Sequence, residues 1–73
     1  MVDSFFTLEE VEQVLSKLHY RFIQVSNGYR YYEDRSGYRL SIKNSTKFPA
    51  YYIEHRVCKK LGMTLRVFSE LAT

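Results

Sequence analysis

The 73-residue chain reads as one small domain, 1–73, and its single cysteine and two well-separated histidines exclude an internal disulfide and argue against a structural zinc site. Lys and Arg number 11 against 8 Asp and Glu, a net charge of +3, and no apolar run approaches the ~20 residues of a membrane span. With no basic start or cleavage site of a signal peptide, these features predict a soluble cytoplasmic protein that needs no metal or cofactor. Cores of chains below ~80 residues rarely supply more than ~3–5 kcal/mol, so a homodimer or a protein partner is the remaining route to further burial.

Thr7-Leu8-Glu9-Glu10 has the spacing of a helix capping box, with Phe6 placed to staple onto Val11. Leu8, Val11, Val14, Leu15 and Leu18 then fall on one face, which predicts an amphipathic helix from about Leu8 to His19. Tyr20 to Ser26 alternates as a strand, with Ile23 and Val25 on one side and Phe22 and Gln24 on the other. Asn27-Gly28 suits a type I′ turn, both of whose central residues need positive φ. Tyr29 to Glu33 returns antiparallel, Asp34 to Gly37 turns again, and Tyr38 to Lys43 makes a third strand. A three-residue second loop with Gly37 left-handed puts Ile23, Val25, Tyr32, Leu40 and Ile42 on one apolar face, whereas a two-residue loop would split them. Asn44 to Phe48 reads as a polar loop and Pro49 as the first residue of a helix to about Leu61, burying Ile53, Val57 and Leu61 and closed by Gly62. Thr64 caps a short final helix with Leu65, Phe68 and Leu71. The expected fold is α+β: a three-stranded antiparallel sheet with two helices on one face, plus a short C-terminal helix.

Charge is unevenly spread. Residues 1–16 hold Asp3, Glu9, Glu10 and Glu12 and no base, a charge of −4, whereas residues 17–60 hold ten Lys and Arg against three acids, a charge of +7. Such a body attracts phosphate polyanions through counterion release, although a solubilising surface has the same composition. On the sheet face away from the helices, the expected register displays Phe22, Gln24, Tyr29, Tyr31, Glu33, Arg39, Ser41 and Lys43. Tyr29 and Tyr31 are candidates to stack on bases, and Arg39 and Lys43 to meet phosphates, while tyrosine is also simply a good strand former. Lys47, Arg56, Lys59 and Lys60 could extend the basic surface, or the last three could merely complement the helix dipole. His19 and His55 are acid–base groups by type, but neither has a second catalytic group near it in sequence, and Cys58 reads as a partly buried filler.

Leu61-Gly62-Met63-Thr64-Leu65-Arg66-Val67-Phe68-Ser69-Glu70-Leu71, together with the Ser36-Gly37 turn, resembles the closing pattern of the HicA-type toxins of bacterial toxin–antitoxin pairs, and the likeness extends from about Leu8 to Leu71. The resemblance implies a double-stranded-RNA-binding-domain-like fold and an RNA-cleaving activity. It also implies a histidine opening the second strand, and that position is Tyr29, preceded by Asn27-Gly28. With a pKa near ~10, tyrosine does not readily take a proton from a ribose hydroxyl at neutral pH, as histidine near ~6.5 does. The expectation is therefore an RNA-binding protein, weak or inactive as a ribonuclease, with RNA and an antitoxin as partners. A small phage-type or antitoxin-like inhibitor, binding a target protein through the open aromatic face, is the alternative.

Overall fold

The computed structural model describes residues 5–72. In chain order it contains β1 (Phe5–Thr7), α1 (Leu8–Lys17), β2 (Arg21–Ser26), β3 (Tyr29–Glu33), β4 (Arg39–Lys43) and β5 (Lys47–Pro49). The helical remainder is α2 (Ala50–Ile53), a π-helical turn (Glu54–Cys58), α3 (Lys59–Leu61) and α4 (Leu65–Leu71). β2, β3 and β4 form an antiparallel sheet in that spatial order. The fold is thus the expected α+β arrangement of a three-stranded antiparallel sheet, main helices and a short C-terminal helix.

The capping box forms as read: the Glu10 backbone N–H donates to Thr7 Oγ1 at 3.1 Å and the Thr7 N–H donates to Glu10 Oε1 at 2.9 Å. The helix stops at Lys17, two residues before the expected end, because His19 adopts a left-handed φ of 69° and the Tyr20 N–H turns back to Leu15 O at 2.8 Å. Asn27 (φ 53°) and Gly28 (φ 82°) make the predicted hairpin turn. At the second turn the Gly37 N–H donates to Asp34 O and the Asp34 N–H to Tyr38 O, with Gly37 at φ 87°, which is the bulged register expected. β4 consequently begins at Arg39, and Tyr32, Leu40 and Ile42 share the buried face.

Three expectations are corrected. β2 carries a bulge between Phe22 and Gln24, which takes Ile23 out of cross-strand pairing and reverses the alternation before it. Phe22 therefore lies opposite Tyr32 on the helix side, with the rings edge-on at 5.8 Å, rather than on the open face. The segment read as a polar loop contains β5, which pairs antiparallel with β1 (Phe6 opposite Phe48) and buries both of those rings. Pro49 is consequently extended (ψ 149°) and precedes the helix as its cap instead of opening it. The long helix widens in its middle: the Lys59 N–H reaches Glu54 O, five residues back. Cys58 lies with Ile53 and Val57 in the core, and Leu61 is only partly buried.

The core draws on every layer, joining Val11, Val14 and Leu15 of α1 with Leu40 and Ile42 of β4, Ile53, Val57 and Cys58, and Phe68 of α4. Phe6 and Phe68 meet edge-to-face at 5.1 Å. Thr64 caps α4 by accepting from the Val67 N–H at 3.2 Å, and Lys17 Nζ ties the end of α1 to Leu71 O at 2.7 Å. A polar clasp fastens α1 to the sheet. Glu12 Oε2 accepts from Arg30 Nη2 at 2.9 Å and from the Tyr32 hydroxyl at 2.7 Å, Arg30 Nε donates to that hydroxyl at 3.0 Å, and the guanidinium lies 4.5 Å from the Phe22 ring centre. Burial pushes the Tyr32 phenol up to about 12, and its hydrogen bond to Glu12 adds to the effect. No helix among the described residues is long and apolar enough to cross a membrane.

Candidate functional site

The ladder between β3 and β4 places Tyr29 opposite Lys43 at the end of the sheet next to the Asn27-Gly28 turn. Both side chains belong to the face away from the core, shared with Gln24, Tyr31, Ser41, Glu33 and Arg39, none of which is buried. The start of the long helix arrives at this same end, because β5 leads directly into Ala50. Tyr29, Lys43, Tyr51, Tyr52, His55 and Arg56 together line an open groove of about 370 Å³.

Two of the three tyrosines offer rings to solvent and one is fixed in place. Tyr52 stacks on Phe48 (centroids 5.7 Å, planes 23° apart), and its hydroxyl accepts from the Lys43 backbone N–H at 2.7 Å. The Arg56 guanidinium lies 6.0 Å from the Tyr52 ring centre. Tyr52 is therefore a rigid wall that joins the helix to the end of β4. Tyr51 and Tyr29 are 69% and 38% exposed, large values for aromatic side chains beside a groove.

Among the described residues no carboxylate lines the groove. Among the described residues Arg30, Arg39 and Arg66 each have an acidic partner, in Glu12, Glu33 and Glu70 respectively, while neither Lys43 nor Arg56 forms an ion pair. A concave surface with two uncompensated cations and several aromatic rings is suited to a ligand that carries negative charge and flat π-systems together.

The opposite end of the sheet carries a second cleft, about 480 Å³, lined by His19, Tyr20, Arg21, Glu33, Asp34 and Arg35. Here two arginines face two carboxylates. Asp34 is also occupied with its own turn, accepting from the Ser36 and Tyr38 N–H groups at 3.0 and 2.8 Å and from the Ser36 hydroxyl at 2.9 Å. Desolvation raises the Asp34 pKa, but the hydrogen bonds from Tyr38, Ser36 and Gly37 outweigh it and leave the carboxyl below its ordinary value. The Tyr20 phenol is pushed up by burial and by the neighbouring Asp34 and Tyr38.

Of the residues singled out in the sequence, the groove brings Tyr29, Lys43 and Arg56 together. Tyr31 lies further along the same sheet face, and Arg39 at the far end, 3.8 Å from Glu33. Lys47, in β5, holds its ammonium 5.4 Å from the Phe5 ring centre, and Lys59 and Lys60 are exposed on α3 outside the groove. Sequence reading missed Tyr51, Tyr52 and His55 as members of the site. The pairs Tyr51/His55 and Tyr52/Arg56, each four residues apart, were the available signal, because that spacing stacks side chains on one helical face. Cys58 is buried and its thiol is pushed up first by burial and then by Glu54, which suppresses thiolate chemistry. Among the described residues no three His, Cys, Asp or Glu side chains are grouped to hold a metal ion.

The fold and the groove define a small α+β protein with a basic, aromatic groove at one end of its sheet. Comparison with protein-family models, with curated proteins and with solved structures found no match to this chain.

Proposed function

We propose that this chain is an RNA-binding protein of the HicA-like group, weak or inactive as a ribonuclease, that holds RNA in the groove between Tyr29 and Arg56. The observation that carries the reading is the wall composition: three tyrosines, a histidine, a lysine and an arginine, with no carboxylate among the described residues. Phosphate oxygens meet Lys43 and Arg56, and the exposed rings offer stacking surfaces to bases. Tyr29, at the position where the resembled family carries its histidine, is part of this wall, so RNA that is bound there meets a phenol in place of an imidazole.

A gel shift with an RNA hairpin bearing an unpaired loop tests the reading. Binding is expected at ~50 mM salt and weakens as salt rises; no binding at ~50 mM, where phosphate contacts are strongest, rejects it. The same RNA is expected to be recovered intact. If it is cut, comparison of Tyr29→Phe and His55→Ala variants identifies which groove side chain acts, and the inactive-ribonuclease part of the reading fails.

A protein partner has a separate surface to use. Phe22 and Val25, 47% and 45% exposed, lie on β2, an edge strand of the sheet, away from the groove walls. A stable polypeptide partner that is retained by a Tyr29/Tyr31 double alanine variant and lost by Val25→Asp would place that contact on the β2 edge.

A further inference from the structure

We propose that the groove selects single-stranded RNA over duplex, taking one unpaired nucleotide with its base against Tyr51 and Tyr29 and its phosphate between Lys43 and Arg56. The inference rests on the RNA-binding reading above and names the form of RNA that the same site takes.

Three observations support single strands. The groove's volume of about 370 Å³ suits one small ligand group, near the low end of the ~300–1,000 Å³ typical of such sites. The rings of Tyr51 and Tyr29 are exposed, whereas the Tyr52 ring is committed to Phe48 on one side and its hydroxyl to the Lys43 backbone. An A-form duplex keeps its bases stacked on one another and presents chiefly phosphates and 2′-hydroxyls, so it cannot use exposed aromatic faces; an unpaired base can. Finally, among the described residues two cations, Lys43 and Arg56, line the groove without acidic partners, while Arg39 on the same sheet face sits beside Glu33. A duplex reader needs a longer array of cations than this.

The local structure supports the placement of Tyr51 and Arg56 on one surface. In a regular α-helix, residues five apart point in different directions. The π-helical turn Glu54–Cys58, with the Lys59 N–H bonded five residues back, is wound more widely than that, and Arg56, which lies within it, lines the same groove as Tyr51. Such turns recur at functional sites.

Fluorescence anisotropy with a labelled, unstructured RNA 12-mer and with the blunt duplex of the same sequence, each at ~50 and ~200 mM salt, tests the proposal. The single strand is expected to bind at least about tenfold tighter, with log K falling by only about 1.4 per decade of salt, as two phosphate contacts on a single strand require. Tyr51→Ala, at a 69% exposed position, is expected to keep the wild-type circular dichroism and melting temperature while weakening single-strand binding about tenfold. Equal or tighter duplex binding, with a salt slope of about −5 or steeper, overturns the selection for single strands and leaves RNA binding standing. Unchanged single-strand affinity in Tyr51→Ala overturns the stacking assignment. Absence of binding by both RNAs at ~50 mM overturns this inference and the RNA reading together.

Discussion

The two ends of the sheet are built from similar residue types and are electrostatically different. Each has a concavity with tyrosine, histidine and two basic side chains. At the Asp34 end Arg21 and Arg35 share their cleft with Glu33 and Asp34, so the charges cancel over short distances. At the Asn27-Gly28 end Lys43 and Arg56 face no carboxylate among the described residues. A ligand anion approaching the first end meets both signs at close range, and at the second the described side chains lining the groove offer it positive charge. Net charge says that a protein is basic, but the placement of a few acids decides where an anion can sit.

Charge reversal gives the largest expected separation between the ends. The Lys43→Glu/Arg56→Glu variant is expected to lose RNA affinity on the order of a hundredfold (~2.7 kcal/mol) at ~50 mM salt, and Arg21→Glu/Arg35→Glu to stay within about threefold of wild type. Equal losses in a binding titration would break the distinction. The next effect concerns Arg30, whose cation is held in the clasp with α1 instead of serving either end. Glu12→Ala leaves Arg30 and the Tyr32 hydroxyl without their acceptor, and denaturant unfolding is expected to show a loss of about 1–3 kcal/mol with RNA affinity unchanged.

The same clasp has a pH signature. Tyr32 is raised to about 12 in the folded chain, so an unfolded phenol near ~10 ionises first. The stability that Tyr32 contributes is fully present below about pH 10 and is lost as pH climbs from 10 towards 12. Tyr32→Phe is expected to flatten the fall in unfolding midpoint across that window. A smaller effect is expected from Tyr52→Phe, about 0.5–1 kcal/mol, because the phenol accepts one hydrogen bond from an exposed backbone N–H. The smallest belongs to the far end. Asp34 is lowered in the folded chain, so its contribution holds above the ordinary carboxylate range and fades as pH falls below ~4. Asp34→Asn should remove that acid-side dependence in thermal melts and leave RNA binding as it was.

Much of the architecture was legible because it is written in short-range chemistry. The Thr7/Glu10 box, the Asn27-Gly28 turn, the left-handed Gly37 and the Thr64 cap each involve residues no more than four positions apart, and all formed as read. The β1–β5 pair was illegible for the opposite reason: its partners are separated by forty residues or more, and three-residue strands carry no periodic pattern. The Phe22 side chain went to the other face because a single inserted residue, invisible in composition, inverts strand alternation. Half of the groove was readable from the sequence, through Tyr29, Lys43 and Arg56, whereas Tyr51, Tyr52 and His55 belong to a helix whose docking position no local signal records.

By itself the sequence determined the order of the main helices and of the three sheet strands, the turns, most of the apolar core and the surplus of cations between residues 17 and 60. These follow from propensity, capping and hydrophobic periodicity, which act within a few residues. Only the tertiary structure decided which cations stay unpaired and which tyrosines stand together, since Glu12 reaches Arg30 across 18 residues and the helix at Tyr51 meets the strand end at Tyr29 across 22. Coulomb attraction and aromatic contact depend on distance in space, and that distance exists only once the helix has packed against the sheet.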